Sequence, residues 1–325
     1  MTVGGLPRRF RFAPTPSREL HVGSALAALF GWAVARATPG AGFFLRIEDI
    51  DRARCKPAYE AVLMQDLAWL GLDWDTPPVR QSERTHLYDA ALATLCAADA
   101  AYVCTCSRSD IRAAQSAPHL GAPSDVYPGT CRTSGRAGAP ERAIAGGIRF
   151  DIARLGDDAR VAWTDELLGV QSIDDVRLTA GDTLLGRPDA PTYQLAVVVD
   201  DLAMGITDIV RGRDLLGSTA RQLLLHRALS RGAQPTPRFH HHPLILDADG
   251  RKLSKRDGDL ALASLRAAGV DPAHLRAALG RAIGLFDARV QRASLADWTD
   301  AIAATPASAL HDGAWGAFTP RGPGL

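Results

Sequence analysis

The chain has 325 residues, 46% of them apolar and 22% charged, with Lys plus Arg at 37 against Asp plus Glu at 36. That balance excludes a disordered, collagenous or coiled-coil chain, and a net charge of +1 gives no global pull toward nucleic acid or anionic membrane, so such a partner must be met by a local patch. No apolar run approaches the roughly 20 residues that span a bilayer, and five cysteines without a secretory leader fit a reducing cytoplasm.

In chain order, residues 8–13 read as a short strand followed by the turn Pro14-Thr15-Pro16-Ser17. Val22, Ala25, Leu26, Leu29, Phe30, Ala33 and Val34 then recur at helical spacing. Residues 43–47 form a compact apolar run ending in Glu48-Asp49, a buried strand that completes a strand–helix–strand unit. Two further helices are expected over 59–70 and 83–98. From residue 102 the character changes: Gly, Pro and Ser crowd 116–147, and the strand-like pieces 147–152 and 161–163 are short. Regular α/β patterning resumes at 195–199 and 207–210, with a helix near 218–230 and an apolar run at 243–246. The turn Asp247-Ala248-Asp249-Gly250 leads into Arg251-Lys252-Leu253-Ser254-Lys255-Arg256, beyond which the pattern is helical, with Asp271-Pro272 as cap and first position. The expected fold is α/β with a Rossmann-type parallel sheet: residues 1–101 and 191–258 form the two halves of one α/β domain, 102–190 an inserted subdomain, and 259–325 a short helical region.

Three constellations carry chemistry. His21-Val22-Gly23-Ser24 opens the first amphipathic helix directly after the first strand, where unpaired N–H groups and a partial positive charge suit phosphate; alone, it also fits an ordinary helix start. Lys252-Leu253-Ser254-Lys255 holds two of the only three lysines among 37 basic residues. A merely solvated loop in this chain would be written in arginine, whereas a compact ammonium suits polyphosphate. Cys104, Cys106 and Cys131 offer three thiolates in a Gly/Pro-rich stretch, which suits a tetrahedral structural zinc with a fourth ligand; His119 is the conventional candidate. Cys55 and Cys96 read as plain helix residues. In His240-His241-His242, adjacent residues of an extended segment point to alternating sides, so the run does not make one metal site, although His242 can line a nucleotide site.

In this order the first two segments resemble the paired signatures of class I aminoacyl-tRNA synthetases. The stretches Arg11-Phe12-Ala13-Pro14-Thr15-Pro16, Arg46-Ile47-Glu48-Asp49-Ile50-Asp51, Gln81-Ser82, Val197-Val198-Val199-Asp200-Asp201, Gly205-Ile206-Thr207 and Ile209-Val210-Arg211-Gly212 all look like the glutamyl subgroup. Only 67 residues follow Gly258, too few for the helical anticodon reader of a full-length glutamyl enzyme, so the better match is to the shortened glutamyl-Q tRNA(Asp) synthetases. The resemblance implies a ligase with ATP, Mg2+ and one structural Zn2+, acting on L-glutamate without needing tRNA and then on the queuosine base of tRNA(Asp), in a soluble, monomeric, cytoplasmic protein. It implies an ATP site of His21, Gly23, Ser24, Lys252, Ser254 and Lys255, with His21 and Lys255 catalytic. It implies a glutamate site in which Arg11 and Arg211 take carboxylates, Glu48 the ammonium, and Ala13, Thr15 and Tyr193 complete the lining. It also places Tyr127, rather than His119, as the fourth zinc ligand. Two residues depart from the family pattern: Arg18, where glycine is usual, and Arg256, which ends the lysine loop where serine or glutamine is common. The competing readings are a truncated glutamyl-tRNA synthetase charging a 3′ end, a cytidylyltransferase-like enzyme, and a non-catalytic regulatory paralogue.

Overall fold

The computed structural model describes residues 7–107, 109–111, 126–134, 147–187, 190–247, 249–253 and 261–315. His119, Ser254, Lys255 and Arg256 therefore lie outside the described residues. The strands in chain order are β1 (Arg9–Phe12), β2 (Gly42–Ile47), β3 (Val79–Arg80), β4 (Ala101–Cys104), β5 (Gly147–Phe150), β6 (Val161–Asp165), β7 (Gly169–Ile173), β8 (Thr183–Arg187), β9 (Ala190–Pro191), β10 (Asp208–Gly212), β11 (Arg238–His242), β12 (Ile245–Leu246) and β13 (Gly313–Ala314). The helices are α1 (Val22–Ala37), α2 (Pro57–Trp69), α3 (Thr85–Ala97), α4 (Val176–Thr179), α5 (Tyr193–Ala203), α6 (Thr219–Ser230), α7 (Leu262–Ala267), α8 (Pro272–Ala282) and α9 (Leu295–Ala304).

A seven-stranded sheet in the order β3-β2-β1-β10-β11-β6-β7 forms the centre, parallel throughout except for the β6–β7 pair. The pleat divides its residues between two cores. Phe10, Phe43, Leu45, Ile47 and Val210 join α1 and the C-terminal helices on one face, while Phe44, Ile209 and Phe239 join α3, α5 and α6 on the other. The same alternation sends Arg11, Arg46, Arg211 and His241 to the second face, near the carboxyl ends of their strands. Side chains gathered at those ends are where open α/β sheets bind ligands.

The sequence reading and the structure differ in three places. The run 195–199 belongs to α5, a helix whose residues from Leu195 to Asp201 are all buried. The apolar run 243–246, which holds β12, is preceded by β11, a strand whose three histidines are buried next to β10. Strands β6 and β7, within the segment read as an insert, extend the central sheet through the register Phe239↔Asp165, whereas β4, β5, β8 and β9 form a separate antiparallel sheet. Near the C-terminus β13 pairs in parallel with β12, and Asp312 accepts a hydrogen bond from the Leu244 N–H at 2.8 Å. Among the described residues no helix is long and apolar enough to cross a membrane.

Candidate active site

The start of α1 is built by its own side chains. His21 is the N-cap, and its Nδ1 accepts from the Gly23 N–H at 3.0 Å. Nδ1 is therefore unprotonated, and a neutral ring carries its proton on Nε2, oriented to donate. A Cβ on Gly23 would lie 2.8 Å from His21 Cε1, so this glycine makes room for the capping imidazole itself. The backbone of Ala261, just past the lysine segment, bridges to His21, and the Leu262 N–H donates to Leu20 O at 2.8 Å.

Below this helix start lies a cavity of ≈ 550 Å³. Arg11, Ala13, Thr15, His21, Gly23, Ser24, Glu48, Tyr193, Arg211 and Lys252 all line it, so the structure brings together every expected ATP- and glutamate-site residue that it describes. Arg18 and His242 line it too, and Lys252 is ion-paired with Asp214 at its rim.

The floor is a buried ionic layer. Asp201 takes both Arg11 Nε (3.0 Å) and Nη2 (3.2 Å) and also Arg46 Nη1 (2.6 Å). Arg46 reaches Glu48 at 3.3 Å, and Asp200 accepts from Arg84, Gln81 and Tyr88. Burial works against the Arg46 cation, but Asp201, Glu48 and Asp200 outweigh it and raise its pKa. For Asp201 burial likewise opposes ionisation, and the two guanidinium groups prevail, holding it below the usual carboxylate range. Glu48 goes the other way, its pKa raised by burial more than Arg46 and Arg11 lower it.

Arg211 stands apart from these pairs. It donates to Gln222 Oε1 (2.6 Å), Thr219 Oγ1 (2.8 Å) and His241 Nε2 (3.0 Å), all neutral acceptors, and none of the described carboxylates lies within ion-pair distance. Burial lowers its pKa from an ordinary value so high that the guanidinium stays charged. Behind it, His241 Nδ1 is hydrogen-bonded to Asp165, which fixes the tautomer that leaves Nε2 to accept from Arg211. A buried cation with only neutral partners at a cavity wall is a receptor for an anion. The sequence reading had Arg11 and Arg211 as equivalent carboxylate partners, whereas in this geometry Arg11 is already engaged by Asp201. Asp200, Asp201, Arg46, Thr219, Gln222 and His241 had no individual role in that reading; the available signal was a pair of acids inside an apolar helical run, which must find partners.

The three histidines share no partner: His240 goes to Asp208 (3.0 Å), His241 to Asp165 and Arg211, and His242 through Nδ1 to Pro243 O (2.8 Å).

Away from the cavity, the sulfurs of Cys104, Cys106 and Cys131 lie within 4.8 Å of one another. The Tyr127 hydroxyl is 3.3 Å from Cys104 Sγ and 3.5 Å from Cys106 Sγ. A tetrahedral ion with metal–sulfur bonds of about 2.3 Å needs sulfurs about 3.8 Å apart and a phenolic oxygen about 3.5 Å from them, so these four groups fit one metal. Burial pushes the Cys106 thiol up to about 11; for Cys131 burial is opposed by hydrogen bonds from Thr105, Cys106 and Tyr127, which bring it to about 7.

Residues 8–292 match the family model described as tRNA synthetases class I (E and Q), catalytic domain. The chain belongs to this family. Within it, this class I synthetase chain is 46% identical over 290 residues to the glutamyl-Q tRNA(Asp) synthetase of Symbiobacterium thermophilum, covering 85% of the chain and 87% of that relative. It is 42% identical over 267 residues to the glutamate–tRNA ligase of Thermosynechococcus vestitus, covering 80% of the chain but 54% of that longer protein. The crystal structure of a glutamate tRNA ligase from Elizabethkingia meningosepticum in complex with its amino acid superposes with a TM-score of 0.76 at 28% identity, covering 96% of this chain and 68% of that one. The protein is thus a ligase-type enzyme of the aminoacyl-tRNA synthetase class, grouped with the glutamyl-Q tRNA(Asp) synthetases.

Proposed function

We propose that the chain activates L-glutamate with ATP, without needing tRNA, and transfers it to the queuosine base of tRNA(Asp). The observation that carries the glutamate reading is Arg211, a buried cation with neutral partners at the cavity wall, with Glu48 across the same cavity for an ammonium group. The names of the 41–47% identical glutamyl-Q relatives support queuosine-bearing tRNA(Asp) as acceptor.

In this reading Arg211 takes one glutamate carboxylate, while Arg11, held by Asp201, contributes field and shape around the other. The Tyr193 hydroxyl, Thr15 and Ala13 close the site. The α-carboxylate attacks the α-phosphorus of ATP and pyrophosphate leaves. His21 Nε2–H and the α1 N-terminus with Gly23 and Ser24 bind phosphate oxygens, and Lys252, Ser254 and Lys255 bear on the departing pyrophosphate. Mg2+ arriving with ATP would supply further charge neutralisation. Catalysis is then chiefly positioning and electrostatic stabilisation. A hydroxyl of the queuosine cyclopentenediol next attacks the mixed anhydride, forming the ester and releasing AMP.

We further assign Zn2+ to Cys104, Cys106, Tyr127 and Cys131, as a structural site. The catalytic domain is read as residues 1–101 and 191–258 together with β6 and β7 of the central sheet, the rest of 102–190 as inserted and 259–325 as helical, in a cytoplasmic monomer. The test is glutamate-dependent ATP–pyrophosphate exchange without tRNA, followed by nuclease mapping of labelled glutamate on tRNA(Asp) and tRNA(Glu). Exchange followed by label at the wobble base is expected. No exchange refutes the activation step, and label at a 3′ terminal adenosine favours the truncated glutamyl-tRNA synthetase reading.

A further inference from the structure

A second cavity, of ≈ 400 Å³, opens beside the first and is lined by Ser17, Arg18, Ala53, Arg54, Lys56 and Tyr59. Arg18 lines both cavities, so the two are neighbours across one side chain. Both also hang on the same connection from β2 to α2: Glu48 near its start faces the first cavity, and Arg54 and Lys56 near its end face the second. The second cavity brings three cations and no acid to its lining, and Asp51, which does not line it, is paired with Arg54. Lys56 is the third of the chain's three lysines, and among the described residues its ammonium reaches the Arg52 carbonyl at 3.4 Å and no carboxylate. It is also the N-cap residue of α2 and makes no side-chain capping bond there. Tyr59 adds an aromatic ring and Ser17 a hydroxyl.

We propose that this cavity holds the sugar–phosphate backbone of the tRNA beside the nucleoside whose base enters the first cavity. An exposed, polar cavity carrying several positive charges and one aromatic face suits a single-stranded RNA segment, in which phosphates meet cations and an unstacked base meets a ring. Continuity through Arg18 selects a ligand that extends from the catalytic cavity, as a polynucleotide does and a free anion does not. This is the local patch that a chain of net charge +1 requires.

The inference rests on the tRNA-modifying reading above, and one set of measurements separates the two. Arg54→Ala/Lys56→Ala, Lys56→Glu and Lys56→Arg are compared with the unaltered protein by thermal unfolding, by ATP–pyrophosphate exchange, and by binding of tRNA(Asp) over a salt series. These side chains are exposed, so melting temperatures should be unchanged. For the double variant the tRNA Kd should rise about 5- to 20-fold at low salt, with the log–log salt slope flattened by about one to two. Exchange should stay within about twofold, and Lys56→Arg should retain most of the affinity. Unchanged tRNA Kd and slope overturn the proposal, as does an increased KM for pyrophosphate at constant tRNA Kd, which assigns the cavity to the leaving group. Absence of exchange in the unaltered protein, with the tRNA effects present, fails the activation reading while upholding this one.

Discussion

Replacing Arg211 by glutamine should separate function from stability. The charged guanidinium makes three hydrogen bonds to neutral acceptors, each worth about 1.5 kcal/mol net at the low end for a charged donor, about 4 to 5 kcal/mol together. Against that stands the cost of burying a cation with none of the described carboxylates in contact, several kcal/mol even after relaxation. The two nearly cancel, so Arg211→Gln should leave the melting temperature within a few degrees of the original, or raise it. Substrate feels no such cancellation. A buried carboxylate that loses its charged partner forfeits about 3 to 5 kcal/mol, so kcat/KM for glutamate in ATP–pyrophosphate exchange should fall by roughly 100- to 1,000-fold or more. The KM for ATP should move less than about threefold. A melting temperature lowered by ten degrees with exchange kinetics intact would refute the reasoning and make Arg211 a structural residue.

Three further outcomes follow from the geometry. Atomic emission should find about one zinc per chain; Cys131→Ala should abolish binding and lower the melting temperature, and Tyr127→Phe should weaken zinc at least tenfold in chelator competition, so unaltered affinity in Tyr127→Phe would remove the tyrosine from the ligand set. Gly23→Ala should expel the His21 ring from its capping position, costing about 1 kcal/mol in denaturant unfolding and raising the KM for ATP about tenfold; wild-type values for both would show that the ring adapts. Burial holds His242 at about 4, below its ordinary 6.5. The unfolded chain therefore takes up this proton first as pH falls, and about 3 kcal/mol present above pH 6.5 is lost progressively down to about pH 4. His242→Leu should flatten the melting temperature over that window, and superimposable profiles would exclude His242 as the source.

The parts of the site that announce themselves in the sequence are those with local grammar. The α1 start, the Cys-Thr-Cys pair and the lysine segment are each short, and each carries its physical reason within a few residues. The ionic floor is the opposite case: Arg11 and Asp201 are 190 residues apart, and Arg46 and Asp201 are 155 apart. The apolar neighbours of Arg46 say that its strand is buried, but nothing near it in the chain says which carboxylates will meet it. Only the extended character of His240-His241-His242 is legible for β11, because Arg238-Phe239-His240-His241-His242 lacks the apolar alternation that marks a strand; its histidines are buried because Asp208, Asp165 and the Pro243 carbonyl meet them. The run 195–199 carries no periodicity, since all of it is buried, and only the following Asp200-Asp201 betrays a helix that must face arginines. Strands β6 and β7 read as insert because sheet membership depends on β11, more than sixty residues later.

The pairing of β13 with β12 makes the approach to the lysine segment hostage to the far end of the chain. Gly313 sits where an added Cβ would lie 1.5 Å from the Ala282 carbonyl oxygen, so no other residue fits the clasp, and Asp312 ties it to both Leu244 and Arg213. A fused tag, a protease cut or a partner that peels away residues 312–314 would expose Ile245 and Leu246 as an unprotected strand edge, open to mispairing with another chain. The damage would register first in the presentation of Lys252, six residues downstream of Leu246, long before the central sheet loosened.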